Sequence, residues 1–190
     1  SIQASISADG RHVAFVSMAD NLVAGDNNST FDVFVHDRQT GETTRVSMAS
    51  DTTQGDDLSY FPCISADGRC VAFTSRATNL VSGDTNGFDD IFVRDRQTGE
   101  TTRVSLGWDG TEGDDDSWHG IGWPCVSADG RYVCFASYAT NLVAGDTNGC
   151  DDVFVRDRET GETARVSVSS AGSQGDDMSS AFSISADGRY

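Results

Sequence analysis

The sequence Ser-Ala-Asp-Gly-Arg decides the fold, because it occurs four times in a chain of 190 residues. The copies lie at 7–11, 65–69, 127–131 and 185–189, with spacings of 58, 62 and 58 residues. Regular internal periods of this length are typical of proteins built from stacked structural repeats. The repeat therefore has to be interpreted before any single residue is.

Three further phrases recur in a fixed order between these anchors. They are an Asn-Leu-Val phrase, an Asp-(Val/Ile)-Phe-Val phrase and the turn Thr-Gly-Glu-Thr, which begin at Asn79, Asp90 and Thr98 in the second copy. Four phrases in the same order in three successive copies establish three full repeats and the beginning of a fourth.

Four short strands can be placed in each repeat. In the second copy, two β-rich runs flank Asp67-Gly68, and Asp-Gly in that setting predicts a tight hairpin because Gly accepts the positive φ of the turn. A second pair of runs, 90–95 and 101–106, flanks the turn at Gly99. No stretch keeps a 3.6-residue apolar period over three turns, so we predict an all-β chain.

Four antiparallel strands repeated about every sixty residues predict the four-stranded antiparallel blade of a β-propeller. A parallel β-helix needs a much shorter repeat, and an immunoglobulin-like array needs about a hundred residues per unit. We expect a single propeller domain over 1–190, with blades at about 1–50, 59–108 and 121–169 and one extra inner strand at 180–186.

The repeat resembles that of a known family. The Ser-Ala-Asp-Gly-Arg turn, the following Val-Ala-Phe-x-Ser run and the Asp-(Val/Ile)-Phe-Val-x-Asp strand are similar to the TolB-type, WD-like propeller repeat. Ala8, Ala66, Ala128 and Ala186 stand where that repeat usually has Pro. The resemblance covers essentially the whole chain, and it implies a fold but not a function, since such propellers serve many roles.

Three blades are too few to close a ring, because propellers typically have four to eight. The chain is then either a fragment of a larger propeller or one half of a six-bladed ring, with the terminal strand exchanged between two chains. A three-blade arc would expose two blade faces, which favours association. We therefore predict a homodimer or a larger assembly that completes the propeller.

The charge balance restricts the partners. Thirty acidic residues against thirteen basic ones give a net charge of −17 at pH 7, which argues against nucleic acid and anionic membranes. No apolar run approaches the roughly 18 residues of a membrane span. An acidic surface suits divalent cations or basic partners, and it also serves solubility alone.

The acidic residues are concentrated in the longer loops. If the strands of a blade are called A to D from the propeller axis outward, their alternating direction places the A–B and C–D turns on one face. The B–C and D–A loops then share the opposite face. Because both kinds of loop are acidic, we predict one face rich in carboxylates.

The B–C loops resemble the first half of a calcium loop. Ca²⁺ favours six to eight oxygen ligands, and each loop offers carboxylate and amide oxygens at its first, third and seventh positions. In the second and third copies a Gly lies two residues earlier than in an EF-hand, the first copy lacks this Gly, and the bidentate Glu is missing from all three. Asp, Asn and Gly also form ordinary turns. Both interpretations stay open. The predicted calcium ligands are Asp26, Asn28, Asp32, Asp84, Asn86, Asp90, Asp146, Asn148 and Asp152.

The D–A loops carry acidic runs at 56–57, 114–116 and 176–177. These carboxylates could complete a cation site on the same face. We favour a structural role, in which an Asp that precedes strand A binds backbone amides at the blade junction.

Aromatic residues gather in the D–A loop between the second and third copies. Exposed aromatic side chains on a propeller loop can stack on sugars or anchor a protein partner, and they can equally pack an irregular loop. The predicted ligand-binding residues are Trp108, Trp118, His119 and Trp123.

Four of the five cysteines flank the A–B hairpins. Cys125 lies opposite Cys134 if the hairpin loop has two residues, which would allow a cross-strand disulfide, whereas a three-residue loop would offset the pair. Neither register brings Cys63 opposite Cys70. The alternative is that these are small buried strand residues. No Cys-x-x-Cys spacing suggests zinc.

These patterns predict a non-catalytic binding or scaffold propeller, stabilised by calcium, from a secreted or envelope-associated bacterial protein. The ligand would be a protein or a carbohydrate. No Gly-x-Ser-x-Gly elbow occurs, and we predict no catalytic residue and no enzymatic activity. The alternatives are the propeller portion of a larger hydrolase of the peptidase type, or a purely structural repeat.

Overall fold

A computed structural model describes residues 2–117, 122–180 and 183–189. Within them the chain forms twelve strands in three separate four-stranded antiparallel sheets, and none of these residues is helical. The strands are β1 (Ile2–Ile6), β2 (His12–Ser17), β3 (Asp32–Asp37), β4 (Thr43–Arg45), β5 (Ser59–Ile64), β6 (Cys70–Ser75), β7 (Asp90–Asp95), β8 (Glu100–Arg103), β9 (Cys125–Val126), β10 (Tyr132–Ser137), β11 (Asp152–Asp157) and β12 (Glu162–Arg165).

Each sheet is one blade, because its strands pair in chain order. Blade one contains β1–β4, blade two β5–β8 and blade three β9–β12. The predicted all-β architecture of four-stranded antiparallel blades is thus confirmed. The outer strands are shorter than predicted: β8 ends at Arg103, after which the chain turns and forms an isolated bridge between Leu106 and Glu112.

The Ser-Ala-Asp-Gly-Arg turn forms as predicted because its side chains bond its own backbone. In blade two, the Ser65 hydroxyl donates to Asp67 Oδ1 at 2.6 Å, and the same oxygen accepts the backbone N–H of Arg69 at 2.9 Å. Gly68 has a φ of +74°, a conformation that side chains with a Cβ rarely adopt. This turn fixes the register of strands A and B.

The hydrophobic core lies between blades. At the first junction, side chains of blade one meet larger side chains of blade two: Ala14, Val16, Val33, Val35 and Val46 pack with Ile64, Val71, Phe73, Ala77, Leu80 and Phe92. At the second junction, Cys70, Ala72, Ile91, Val93 and Val104 of blade two pack with Val126, Val133, Phe135, Ala139, Leu142 and Phe154 of blade three. At each junction, the side of the earlier blade that packs on the later blade is called the leading face. The side of the later blade that packs on the earlier blade is called the receiving face.

The leading face of blade three is open at its outer part. Val46 and Val104, on the leading faces of blades one and two, are 1% and 2% exposed, whereas the equivalent Val166 is 48% exposed. Val168 beside it is also exposed. The outer part of a leading face therefore becomes buried only when another blade follows it, whereas Cys134 and Val153 of blade three are already buried beneath Ile184.

Arginine side chains cross each internal junction toward the preceding blade. Arg94 Nη1 of blade two donates to the carbonyl oxygens of Ala49 (3.0 Å) and Met48 (3.4 Å) in blade one. Arg156 makes the same contact to Gly107 O at 3.1 Å. These guanidinium groups donate hydrogen bonds to carbonyl oxygens of residues that lie just beyond the outer strand. The junction is therefore polar at its rim and apolar inside.

The predicted extra inner strand at 180–186 falls partly on residues 181 and 182, which lie outside the described residues. Ala128 N donates to Ala186 O at 3.0 Å, and this bond repeats the one from Ala8 N to Ala66 O at 2.9 Å. Residues 183–186 thus lie on blade three where the inner strand of blade two lies on blade one. They pair with no described strand of their own sheet, and Ile184 packs on the open face.

Candidate functional site

The acidic loops meet at the blade junctions, as the strand directions predict. In the loop 83–90, the backbone N–H and the hydroxyl of Thr85 donate to the two carboxylate oxygens of Glu112, at 2.8 and 2.6 Å. Asn86 Nδ2 donates to Gly113 O at 3.2 Å. The B–C loop of a blade is therefore held by the D–A loop that follows the same blade, and one carboxylate-rich face results.

An arginine from the outermost strand lies among the predicted calcium ligands. Arg103 Nη1 is 3.1 Å from Asp84 Oδ1, 3.1 Å from Asp90 Oδ2 and 2.7 Å from Glu112 Oε1. The guanidinium is almost completely buried, with 6% of the side chain exposed. It supplies a positive charge at the place where the sequence predicts a cation.

The other two blades repeat this arrangement, and we call the three groups the arginine clusters. The corresponding Nη1-to-carboxylate distances are 3.1 Å (Arg45–Asp26), 3.7 Å (Arg45–Asp32), 3.4 Å (Arg165–Asp146) and 3.2 Å (Arg165–Asp152). Blades one and three have Gln54 and Gln174 where blade two has Glu112. The cluster of blade two therefore carries one carboxylate more than the other two.

The donors around Asp90 show that this carboxylate is already satisfied. It accepts hydrogen bonds from the Ser105 hydroxyl (2.5 Å), Asn86 Nδ2 (3.0 Å) and Arg103 Nη1 (3.1 Å). Asn86 presents its amide nitrogen to Asp90, while its oxygen accepts the backbone N–H of Phe88. A calcium ion needs oxygen ligands on all sides, so this set of N–H and O–H donors does not fit one.

The structure brings the predicted ligands of each B–C loop together, but around a guanidinium. Among the described residues, no group of three or more His, Cys, Asp or Glu side chains is arranged to hold a metal ion. The geometry favours the alternative in which Asp and Asn form turns and ion pairs. Calcium binding stays a prediction, and a metal titration tests it.

Burial shifts the protonation of the carboxylates in the cluster of blade two. Burial raises the pKa of Asp84 to about 6, against the opposing charge of Arg103, and burial also raises the pKa of Asp90. For Glu112, burial acts in the same direction, but hydrogen bonds from Thr85 and Arg103 outweigh it and lower the pKa to about 2. One arginine thus compensates its carboxylates unequally.

The carboxylates of the D–A loops have the structural role that we favoured from the sequence. Asp56 accepts the backbone N–H of Thr78 at 2.8 Å and its hydroxyl at 2.9 Å. Asp114 does the same with Thr140, at 2.7 Å for both bonds. Each of these bonds joins the loop that precedes a blade to the start of the B–C loop of that blade, so it fixes the entry of the chain into the blade.

The predicted aromatic ligand-binding residues fall into two places. Trp108 is 68% exposed in the turn that follows strand D of blade two. Trp123 is 54% exposed just before β9, where its ring stacks on Phe61 with centroids 5.8 Å apart. Trp118 and His119 lie outside the described residues.

A partly apolar cavity of about 370 Å³, which sequence reasoning missed, lies beside the inner strands of blades one and two. Gln3 and Phe61 hold equivalent bulge positions with φ of +51° and +53°, and Gln3 Oε1 accepts the backbone N–H of Phe61 at 3.0 Å. The bulges interrupt the strand pairing, so strand alternation did not predict the cavity. Its lining residues are Gln3, Val16, Phe31, Leu58, Tyr60, Phe61, Arg76 and Asp89.

The cysteines follow the two-residue register. Cys125 pairs directly with Cys134 across β9 and β10, and Cys63 lies opposite Ala72 rather than Cys70. All five cysteines belong to the described residues, and each is in the thiol form.

Three blades that bury their faces against one another define a β-propeller architecture. No protein-family model matches this chain, and no curated protein matches its sequence. Solved structures do match it. TolB from Acinetobacter baumannii superposes with a TM-score of 0.57 at 19% identity, over 99% of this chain and 36% of that one.

Two further structures support the same assignment. A structure from Agrobacterium tumefaciens assigned to TolB has a TM-score of 0.52 at 21% identity, covering 98% of this chain and 56% of that one. The β-propeller domain of the trilobed protease from Pyrococcus furiosus has a TM-score of 0.50 at 14% identity, covering 86% and 40%. The chain has a TolB-type β-propeller fold. At these identities the likeness concerns the fold alone, and the chain spans about a third to just over half of the matched structures.

Regarding membranes, the described residues contain no helix with the length and apolar character that a membrane crossing requires.

Proposed function

We propose that the chain is part of a non-catalytic binding or scaffold propeller that associates with further blades of the same kind. The observation that carries this proposal is the open leading face of blade three. Its residues match those that blade two buries, yet Val166 is 48% exposed. A face of this composition is stable in water only when another surface covers it.

A second copy of this chain has a matching surface. Ile6 of blade one is 55% exposed, and it stands where Ile64 and Val126 build the internal junctions from the receiving side. Two copies joined leading face to receiving face would have six blades, which is within the range of closed propellers. Residues 183–189 lie on the open face. A ring of two copies can therefore close only if this segment, or β1 of the partner, is exchanged between the two chains.

Light scattering coupled to size exclusion tests the association. We expect a mass near twice 20.2 kDa at micromolar concentrations, and a return to the monomer mass in V166D, which places a charge on the open face. A171D is the matched control, since the other repeats carry Asp51 and Asp109 at that position. A wild-type protein that stays monomeric over this concentration range would refute the homodimer.

The ligand of such a scaffold would be a protein or a carbohydrate in an extracellular or cell-envelope setting. The net charge of −17 supports a basic partner, and the exposed rings of Trp108 and Trp123 offer stacking surfaces. Binding arrays of basic peptides and of oligosaccharides, compared between wild type and W123A, would test this. Unchanged signals in the variant would remove Trp123 from the binding surface.

The similarity to the propeller domain of a protease supports one alternative, in which the chain belongs to a larger hydrolase of the peptidase type. In that case a catalytic domain is encoded in the same reading frame. The sequence of the complete reading frame distinguishes the two functions, and a hydrolase domain there would overturn the non-catalytic proposal.

A further inference from the structure

The cavity beside the inner strands of blades one and two has an aromatic wall at a position where the other repeats have a carboxylate. Phe31 of blade one lines the cavity, and blades two and three have Asp89 and Asp151 at that position. The backbone contacts are equivalent too. Phe31 O accepts the N–H of Ser59 at 2.7 Å, and Asp89 O accepts the N–H of Ser117 at the same distance. Two equivalent loops of neighbouring blades therefore contribute an aromatic ring and a carboxylate to one cavity.

Two further lining residues depart from the repeat in the same direction. Val16 and Leu58 line the cavity, and the next repeat has Thr74 and Asp116 at their positions. Blades two and three pack on each other with these polar residues in place. The apolar lining at the first junction is therefore an additional property of that junction and is not required for the packing of blades.

The bulge in β5 brings two aromatic side chains to the same cavity. Successive side chains of a regular strand point to opposite faces, but the register of β5 shifts after Tyr60, and both Tyr60 and Phe61 line the cavity. Their rings meet edge to face with centroids 5.0 Å apart. Aromatic rings attract organic cations as well as apolar groups.

The carboxylate of Asp89 has unused capacity to accept a hydrogen bond. Its Oδ1 atom is shielded from solvent and accepts no hydrogen bond from the part of the chain that the structure describes. Burial raises the pKa of Asp89, and the charge of Asp116 adds to this effect. A hydrogen bond from Tyr60 and the charge of Arg76 oppose it. Because a buried carboxylate oxygen without a donor is unfavourable, a positively charged donor would stabilise this group.

We propose that this cavity binds a small organic cation, with a primary ammonium group at Asp89 and an apolar body between the aromatic rings. Its volume of about 370 Å³ lies within the range of ligand cavities, and it has room for a molecule with one aromatic ring and a short alkyl chain. The terminal torsion of an Asp side chain is soft, so the shielded oxygen can turn toward the ammonium group.

The charges around the cavity favour a cation. The net charge of −17 raises the local concentration of cations, and Asp116 Oδ1 accepts the backbone N–H of Asp89 at 2.8 Å, which places a second carboxylate beside the first. Arg76 is the cationic residue of the lining, but it is exposed, so solvent screens its charge. The cavity is built from blades one and two alone, so binding does not depend on how the ring is completed.

Titration with phenethylammonium and with its neutral isostere phenethyl alcohol tests the proposal. Backbone amide chemical shifts around Phe61 report occupancy of the cavity in the full chain. We expect the ammonium ion to bind about tenfold more tightly than the alcohol, because only the ion can form a charge-assisted hydrogen bond to the carboxylate. Equal affinities, or no saturable shift around Phe61 at millimolar phenethylammonium, would overturn the proposal.

A variant locates the binding site. D89N keeps the size of the side chain and removes its charge, so we expect about a tenfold loss of affinity for phenethylammonium and no change for phenethyl alcohol. D151N, the equivalent change in blade three, is the matched control and should bind the ion as wild type does. An unchanged affinity in D89N, or an equal loss in D151N, would show that the carboxylate of Asp89 does not hold the ion. The comparison of the two probes on wild type decides the matter if D89N does not fold.

Discussion

Blades two and three carry nearly the same sequence and differ in what surrounds them. Val104 and Val166 follow the same Thr-x-Arg phrase, yet one is buried against the next blade and the other is half exposed. Ile91 and Val93 of blade two are likewise buried by residues of blade three. The difference teaches that the core of this fold belongs to pairs of blades, as in other repeat architectures where each unit contacts only its neighbours.

The largest effect should come from a charge placed on this face. In V104D, a carboxylate would be buried between two apolar blades without a partner, so we expect loss of cooperative folding. In V166D, the same carboxylate stays in water, and the free energy of unfolding of the isolated chain should change by less than about 0.5 kcal/mol. Circular dichroism melts at low concentration measure both. Equal destabilisation would mean that blade three is covered in solution.

The arginine clusters allow a second comparison of the two blades. R103A should lower the free energy of unfolding by about 3–5 kcal/mol, because it leaves the buried Asp84 and Asp90, and the partly exposed Glu112, without their counter-charge. R165A should cost about 1–3 kcal/mol, because Gln174 Nε2 still donates to both carboxylates of that cluster. Urea unfolding provides the values. A larger loss in R165A than in R103A would contradict the role assigned to the third carboxylate.

The raised pKa of Asp84 predicts a pH dependence of stability, and blade three should show one of the same sign. The folded state holds the proton of Asp84 up to about pH 6, while the ordinary value is 3.8, so this stabilising contribution is complete below about pH 4 and is lost as the pH rises through 6. D84N removes the titration. Relative to wild type, its free energy of unfolding should improve by on the order of 1–2 kcal/mol between pH 4 and 7.

The control for this experiment is the blade-three variant D146N. Burial also raises the pKa of Asp146, so its effect should have the same sign. If the free energies of unfolding of D84N and wild type change in parallel with pH, the pH dependence does not come from Asp84.

Calcium should have the smallest effect. Because a guanidinium already lies among the carboxylates of each B–C loop, we expect the melting midpoint to be the same with millimolar Ca²⁺ and with EDTA. A stabilisation that saturates with Ca²⁺ would support the calcium prediction. R165A, with a less acidic cluster, would then show whether removal of the arginine makes room for the cation.

The sequence predicted the blades, their strand order and the shared acidic face, since these depend on local turns and on strand alternation. The arginine clusters were missed because Arg103 lies 13 residues after Asp90, on the far side of a hairpin. Carboxylates and amides at the first, third and seventh positions of a loop suit a calcium ion or a guanidinium equally. The available signal was a basic residue at the same place in every repeat of a chain that has few of them.

The inner-strand bulges were beyond sequence reasoning for another reason. Gln3 and Phe61 are ordinary residues in a left-handed conformation, and nothing in their type announces it. The contact that holds them, from Phe61 N to Gln3 Oε1, joins two repeats. Pairing within one blade could not reveal it.

The polar bridges between blades have an evolutionary consequence. Arg156 of blade three donates to carbonyl oxygens that follow the outer strand of blade two. Arg94 of blade two donates to the equivalent carbonyl oxygens of blade one. Every blade of this kind therefore contains both the arginine donor and the carbonyl acceptors of the contact. A gene of this kind can therefore lengthen by tandem duplication of one segment of about sixty residues, because the added blade already carries the residues of both its interfaces.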